Sequence, residues 1–181
     1  MKKACLLSGG PGTGKTTIIK QAISDWQGRA GGFYTEEIRA GGVRQGFMIV
    51  TLYGRSAALA GVNIKSPYQV SKYGVDIEAL DKVGVSAIRE ATRECDLVVI
   101  DEIGKMELFS PAFKEAVLEA ISSGKRVLGT IMLSPHPWAD QIKRHPDVAV
   151  VPLTRENRSQ VLRQVLKWVK SVNPRDTSGL Q

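Results

Sequence analysis

The 181-residue sequence has few features of a secreted or membrane-spanning protein. It contains only two cysteines, Cys5 and Cys95, which are too few for a disulfide framework or a cysteine-based metal site. No apolar run approaches the roughly 20 residues that are needed to cross a bilayer. The short apolar stretch after Lys3 stops at Gly9, so it does not predict a signal peptide. We therefore expect a cytoplasmic protein without a membrane partner.

The sequence also lacks internal repeats and low-complexity linkers. Its length suits one domain of ordinary size, with no room for two large ones. The apolar fraction of 43% and the charged fraction of 24% are typical of a globular protein. We predict a single domain over residues 1–172, followed by a flexible C-terminal tail at residues 173–181.

Acidic side chains are scarce in the last third of the chain, where most of the net charge of +7 arises. After Glu119 there are 10 basic and 4 acidic side chains. A nucleic-acid partner is one interpretation of this excess. The other is a solvated helix face with a few arginines near an anionic nucleotide. The chain has no aromatic-interleaved basic run and no recognised nucleic-acid motif, so the second interpretation is favoured.

The clearest positive signal is a glycine-rich loop, Gly9-Gly10-Pro11-Gly12-Thr13-Gly14-Lys15-Thr16. Its glycines let successive backbone N–H groups converge on phosphate oxygens, and the helix that follows adds the positive end of its dipole. Lys15 can reach the outer phosphates, and the Thr16 hydroxyl can coordinate magnesium. An apolar strand precedes the loop and a helical pattern follows it, as this motif requires. The loop predicts a site for a nucleoside triphosphate and magnesium.

Strand-like and helical patterns alternate along most of the chain. Apolar runs near residues 5, 98, 128 and 150 are typical of buried parallel strands, and Thr154 is the predicted N-cap of the last helix. Residues 32–62 differ, because short strands punctuated by glycine predict an antiparallel hairpin, and residues 63–74 are predicted to form a polar loop. The prediction is an α/β P-loop NTPase fold, with a mainly parallel central sheet flanked by helices and an antiparallel hairpin extension.

A buried strand that ends in carboxylates supplies the second half of the site. Asp101 ends an apolar run on a strand that we expect next to the first, where it would face Thr16 and its magnesium. Glu102 follows directly, and Glu107 lies in the same loop. Either glutamate could orient or deprotonate the attacking water, and the sequence does not choose between them. The N–H of Gly104 could meet a γ-phosphate.

Several other polar residues have weaker signals. Alternation places Glu37 and Arg39 on one strand face, either near the γ-phosphate or as a surface ion pair. Thr130 could sense phosphate or be a core threonine. Arg155 and Arg158, near the start of the last helix, could lie beside the base or the phosphates, although capping and solvation explain them equally.

Longer stretches resemble one known family. The matching segments are Asp101–Phe109, Gly32–Arg39, Gly46-Phe47, Gly129–Ile131 and Thr154–Arg158. They are similar to the P-loop nucleoside-triphosphatases of hyperthermophiles, a family that includes the cancer-related nucleoside-triphosphatase of animals. The resemblance extends over nearly the whole chain.

The resemblance implies a monomeric enzyme that hydrolyses ATP, GTP, CTP and UTP with magnesium. The Asn-Lys-any-Asp tetrapeptide that reads guanine in GTPases is absent, which agrees with broad base specificity. Lys15, Glu102 and Glu107 are the expected catalytic residues, and Glu107 matches the family glutamate. Thr16 and Asp101 are the expected metal ligands. The expected nucleotide contacts are Gly9, Gly10, Pro11, Gly12, Thr13, Gly14, Lys15, Thr16, Thr17, Leu97, Val98, Val99, Ile100, Asp101, Glu102, Ile103 and Gly104.

Two alternatives stay open at the level of sequence. One is a phosphotransferase in the style of a nucleotide or metabolite kinase, which the small size and the arginine-rich last third would suit. The other is a nucleotide-gated nucleic-acid-binding protein, which the basic last third would suit.

Overall fold

The structure is a computed structural model that describes residues 1–171. The predicted tail at residues 173–181, and the last residue of the predicted domain, lie outside the described residues. Within residues 1–171, no helix combines the length and the apolar character that a membrane span needs.

One sheet of nine strands runs through the described chain. The strands are β1 Ala4–Ser8, β2 Ala30–Ala40, β3 Val43–Thr51, β4 Ser56–Gly61, β5 Gln69–Val70, β6 Tyr73–Val75, β7 Leu97–Ile103, β8 Arg126–Ile131 and β9 Val148–Pro152. Their spatial order is β5-β6-β4-β3-β2-β7-β8-β1-β9. Five neighbouring strands, β2, β7, β8, β1 and β9, are parallel to one another. The other four, β3, β4, β6 and β5, extend the sheet from β2 and pair as antiparallel neighbours. This confirms the predicted fold class.

Helices connect the strands and cover the sheet. They are α1 Lys15–Asp25, α2 Ile77–Ala79, a π-helical segment Leu80–Val85, α3 Ser86–Glu94, a 3-10 turn Glu107–Phe109, α4 Pro111–Ser122, α5 Pro137–Lys143 and α6 Arg158–Lys170. Asp76 caps α2 by accepting a hydrogen bond from the N–H of Ala79 at 2.9 Å. Ser110 caps α4 in the same way, because its hydroxyl accepts from the N–H of Phe113 at 3.0 Å.

The sheet separates two apolar cores, because successive side chains of a strand point to opposite faces. On one face, Leu7 packs in a cluster with Ile18 of α1 and with residues of α6. On the other face, Leu6 packs in a cluster with Phe33 and with Phe113 of α4. Burial on both faces explains why the parallel strands are almost continuously apolar in sequence.

The strand that carries Asp101 does not lie next to β1, contrary to the expectation from sequence. β8 is inserted between β1 and β7. Gly129 of β8 pairs with Leu6 on one side and with Ile100 on the other. Chain order and apolar character do not encode the lateral order of parallel strands, so the sequence could not reveal this insertion.

Two local predictions were wrong. The loop predicted at residues 63–74 contains β5 and begins β6, which are too short to show an alternating pattern. The last helix begins at Arg158 with Asn157 at its N-cap position. The Thr154 hydroxyl instead accepts a hydrogen bond from the N–H of Asn157 at 3.2 Å and stabilises the preceding turn.

Phe113 provides a test of the core between the sheet and α4. Its side chain is fully buried, and its ring centroid lies 6.4 Å from that of Phe33. Phe113→Ala should lower the free energy of unfolding by about 3–5 kcal/mol, because it removes apolar contacts and leaves a cavity. Phe109→Ala, at a half-buried ring, should cost clearly less in the same urea titration. Equal losses would contradict this description of the core.

Candidate active site

The glycine-rich loop joins β1 to α1. Gly12 and Gly14 have φ angles of 70° and 94°, in the left-handed region that residues with a side chain rarely adopt. The Thr13 hydroxyl donates a hydrogen bond to the carbonyl oxygen of Gly10 at 2.9 Å. Helix α1 begins at Lys15, so its unpaired N-terminal N–H groups face the loop. The segment therefore has the strand–loop–helix form that binds phosphate.

The ammonium group of Lys15 folds back over this loop. Its Nζ donates to the carbonyl oxygen of Gly9 at 2.7 Å and to that of Gly10 at 2.9 Å. Both acceptors are neutral, and no carboxylate forms an ion pair with Lys15 in the part of the chain that the structure describes. The positive charge of Lys15 is therefore available to an anionic ligand.

Asp101 links three segments of the fold. The Thr16 hydroxyl donates to Oδ2 of Asp101 at 2.7 Å, and the Thr130 hydroxyl donates to Oδ1 at 2.6 Å. Thr16 belongs to α1 and Thr130 to β8, so one carboxylate joins the phosphate loop to two strands. Asp101 is only 2% exposed. Thr130, which sequence left as either a core residue or a phosphate sensor, is fully buried and positions this carboxylate.

Three carboxyl groups near this end of β7 influence one another's pKa values. Burial raises the pKa of Asp101, while the hydrogen bonds from the two threonines act in the opposite direction. Burial, followed by the negative charge of Asp101, raises the pKa of Glu102, and Lys15 lowers it. Burial and the charge of Glu102 raise the pKa of Glu107 well above its usual range. Glu102 and Glu107 also line one cavity, so the structure brings both candidate bases together.

The residues of β7 before Asp101 occupy a different environment. Leu97, Val98, Val99 and Ile100 have no exposed side-chain surface and are divided between the two cores. They hold the strand in place, and its polar groups begin at Asp101. Among the other nucleotide contacts predicted from the sequence, Ile103 and Gly104 are also buried, whereas Thr17 of α1 is exposed.

Arg155 and Arg158 lie against the glycine-rich loop. A Cβ added to Gly14 would lie 2.8 Å from Nε of Arg158, and one added to Gly12 would lie 3.6 Å from Nη2 of Arg155. Neither guanidinium forms an ion pair with a carboxylate of residues 1–171. These residues follow β9, the neighbour of β1, which is why a segment remote in sequence reaches the loop.

Glu37 and Arg39 share a strand face, as alternation predicted, and form an exposed ion pair at 2.6 Å. Arg44 of the neighbouring strand β3 makes a second contact with Glu37 at 3.1 Å. Hydrogen bonds from these two arginines lower the pKa of Glu37. The geometry therefore corresponds to the surface ion pair, one of the two interpretations from sequence.

A model of the protein family described as NTPase matches residues 4–166 of this chain. The chain belongs to this family. The nucleoside-triphosphatase THEP1 of Thermotoga sp. (strain RQ2) is 45% identical over 165 residues, which cover 91% of this chain and 94% of that protein. The human cancer-related nucleoside-triphosphatase is 38% identical, and the alignment covers 94% of this chain and 98% of that protein.

Two solved structures share the fold of this NTPase-family chain. The crystal structure of THEP1 from the hyperthermophile Aquifex aeolicus has a TM-score of 0.84 and 33% sequence identity, and the match covers 92% of this chain and 99% of that one. The solution structure of a human cancer-related nucleoside triphosphatase has a TM-score of 0.78 and 36% identity, and covers 96% and 100%. The comparisons confirm the family resemblance and the P-loop NTPase fold.

NTPases with a phosphate loop hold a divalent cation with a threonine or serine and an acidic side chain. Thr16 and Asp101 offer hard oxygen atoms at contact distance, which suit magnesium. Within residues 1–171, no three or more His, Cys, Asp or Glu side chains form a group that could hold a metal. An ion held by Thr16 and Asp101 would therefore take its other ligands from phosphate oxygens and water, as magnesium commonly does.

Thr130 provides a test of how Asp101 is held. Thr130→Val keeps the branched shape but removes the hydroxyl, so one oxygen of a buried carboxylate loses its donor. We expect the free energy of unfolding to fall by about 1–3 kcal/mol. Thr130→Ser, which restores a donor, should recover most of this loss in thermal or urea unfolding. A valine variant as stable as the serine variant would show that the hydrogen bond contributes nothing.

Proposed function

We propose that this chain hydrolyses nucleoside 5′-triphosphates to the diphosphate and phosphate, with magnesium and little preference among ATP, GTP, CTP and UTP. The observation that carries the proposal is the contact between Thr16 of the phosphate loop and the buried Asp101, with two further carboxylates beside it. Relatives named nucleoside-triphosphatases support the hydrolase assignment. All of these groups come from one chain, so we propose a single-domain monomer.

The loop binds the phosphates in this proposal. Backbone N–H groups of the loop from Gly12 to Thr16 donate to phosphate oxygens, and the start of α1 adds its positive dipole. Lys15 exchanges its two carbonyl acceptors for oxygens of the β- and γ-phosphates. Its hydrogen bonds to these charged acceptors are stronger than those to neutral carbonyl groups. Thr16 and Asp101 hold magnesium, which when bound neutralises phosphate charge and stabilises the transition state.

Glu102 is the carboxylate that we assign to the attacking water. Glu102 directly follows Asp101, whose carboxylate accepts a hydrogen bond from Thr16 of the phosphate loop. The charge of Lys15 acts to lower the pKa of Glu102. Glu102 orients the water and accepts its proton as the oxygen bonds to phosphorus. Glu107, fully buried beside it, acts as a positioning residue.

The two arginines at the loop account for broad base specificity. Guanidinium groups pair with any phosphate and stack on the face of any base, so they bind a nucleotide without reading the edge of its base. Arg155 and Arg158 have the necessary placement and no competing carboxylate among the described residues. The missing guanine-reading tetrapeptide is consistent with this assignment.

The roles of the two glutamates are separated by amide substitutions. Glu102→Gln should lower kcat by about 10²–10⁴-fold with little change in KM, because the amide cannot accept the proton. Glu107→Gln should cause a clearly smaller loss. Phosphate release from all four triphosphates at saturating magnesium measures both, and Lys15→Ala serves as the inactive reference. An inactive Glu107 variant beside an active Glu102 variant would reverse the assignment.

Arg158 is tested with an arginine of the same helix as its control. Arg158→Ala should raise KM for each of the four triphosphates by about tenfold, because a charge-assisted contact is lost. Arg163→Ala, on the exposed part of α6, should leave KM unchanged. Equal KM values for the two variants, or a rise confined to one base, would contradict the assignment of Arg158 to a base-independent contact.

A further inference from the structure

A cleft opens beside Glu102 and Glu107, on the side of the antiparallel extension. Its inner part has a volume of about 160 Å³ and is lined by both carboxylates. Its outer part has a volume of about 410 Å³. Phe47, Val70 and Met106 line both parts, so the two lie side by side. We refer to the whole as the hairpin cleft.

The size of the hairpin cleft exceeds what hydrolysis needs. A water molecule occupies about 30 Å³, so the inner part alone would hold several waters. Sites for small organic ligands typically measure about 300–1,000 Å³, a range that the outer part reaches by itself. An enzyme that only had to admit water to the γ-phosphate would not require an apolar cleft of this volume next to its base.

The outer walls combine aromatic rings with positive charge. The rings of Phe47 and Tyr73 pack edge to face with centroids 5.4 Å apart. Arg44 lies 5.1 Å from the centroid of Phe47, and Lys72 lies 5.6 Å from that of Tyr73. Arg44 is already paired with Glu37, but Lys72 forms no ion pair with any carboxylate in residues 1–171. Such walls favour a flat molecule with an anionic group.

The inner end of the hairpin cleft carries the reactive groups. Glu107 is 4% exposed and lines the cavity, and its carboxyl group accepts hydrogen bonds from the backbone N–H groups of Gly104 and of Glu107 itself. Lys105 is exposed and lines the same part. A ligand whose hydroxyl group reached this end would meet Glu102 where we place the attacking water. The cleft therefore leads an organic molecule to the position of the nucleophile.

We propose that the hairpin cleft binds a second substrate, a small aromatic anion with a free hydroxyl group, and that the enzyme transfers the γ-phosphoryl group to it. This inference rests on the proposed triphosphate site. The hydroxyl oxygen bonds to the γ-phosphorus while the bond from that phosphorus to the β–γ bridging oxygen breaks. The electron pair leaves with the nucleoside diphosphate. The hydroxyl proton passes to the carboxylate of Glu102 and from there to solvent.

The test uses ATP labelled in its γ-phosphate and the four ribonucleoside 5′-monophosphates as probes, since each has a flat ring, an anionic group and hydroxyls. We expect a labelled organic product with at least one probe, formed at the expense of labelled phosphate. Adenosine, which lacks the anionic group, should give about tenfold less product than adenosine 5′-monophosphate. Normal phosphate release with no labelled product from any probe would overturn the acceptor site alone. Loss of phosphate release as well would overturn the proposed function with it.

Two pairs of variants locate the transfer. Val70→Trp fills the junction of the two parts and should lower the ratio of labelled product to phosphate, whereas Val43→Trp, at an exposed residue of β3, should not. Lys72→Ala should raise the KM of the best monophosphate about fivefold or more, and Lys65→Ala, at another exposed lysine, should leave it unchanged. The lysine pair needs no change in the core, so it decides the question even if Val70→Trp folds poorly. Transfer that is indifferent to Lys72 would place the acceptor outside the hairpin cleft.

Discussion

The carboxylate of Asp101 holds the two halves of the candidate site together. It accepts one hydrogen bond from Thr16 of the phosphate loop and one from Thr130 of β8, while it is itself part of β7. A buried carboxylate is costly to desolvate, and both of its oxygens are matched here by a hydroxyl donor. This arrangement fixes the distance between the loop that binds phosphate and the strand that carries the remaining carboxylates.

The placement of Glu102 and Glu107 follows from that contact. Glu102 is the next residue of β7, and the turn that follows the strand contains Glu107, which lines the same cavity as Glu102. Burial raises the pKa of both groups, and so does a neighbouring negative charge, that of Asp101 for Glu102 and that of Glu102 for Glu107. Carboxyl groups whose proton affinity is raised next to a cationic loop are well suited to proton transfer.

The antiparallel extension gives the site its outer wall. Phe47 of β3 lines both parts of the hairpin cleft, and Val70 and Tyr73 from the short strands complete the aromatic and apolar surface. Part of this antiparallel half of the sheet leaves an open surface next to the carboxylates. The extension therefore affects which molecules can approach the γ-phosphate, a matter separate from how the phosphates are held.

The sequence by itself determined the phosphate loop, the buried strand that carries Asp101 and the α/β class, because each depends on local spacing and on apolar periodicity. It also brought Glu102 and Glu107 forward as candidates. Only the tertiary structure decided that β8 lies between β1 and β7, that Thr130 holds Asp101, and that Arg158 reaches Gly14. These contacts join residues far apart in the chain, and they depend on the lateral order of strands, which local patterns do not encode.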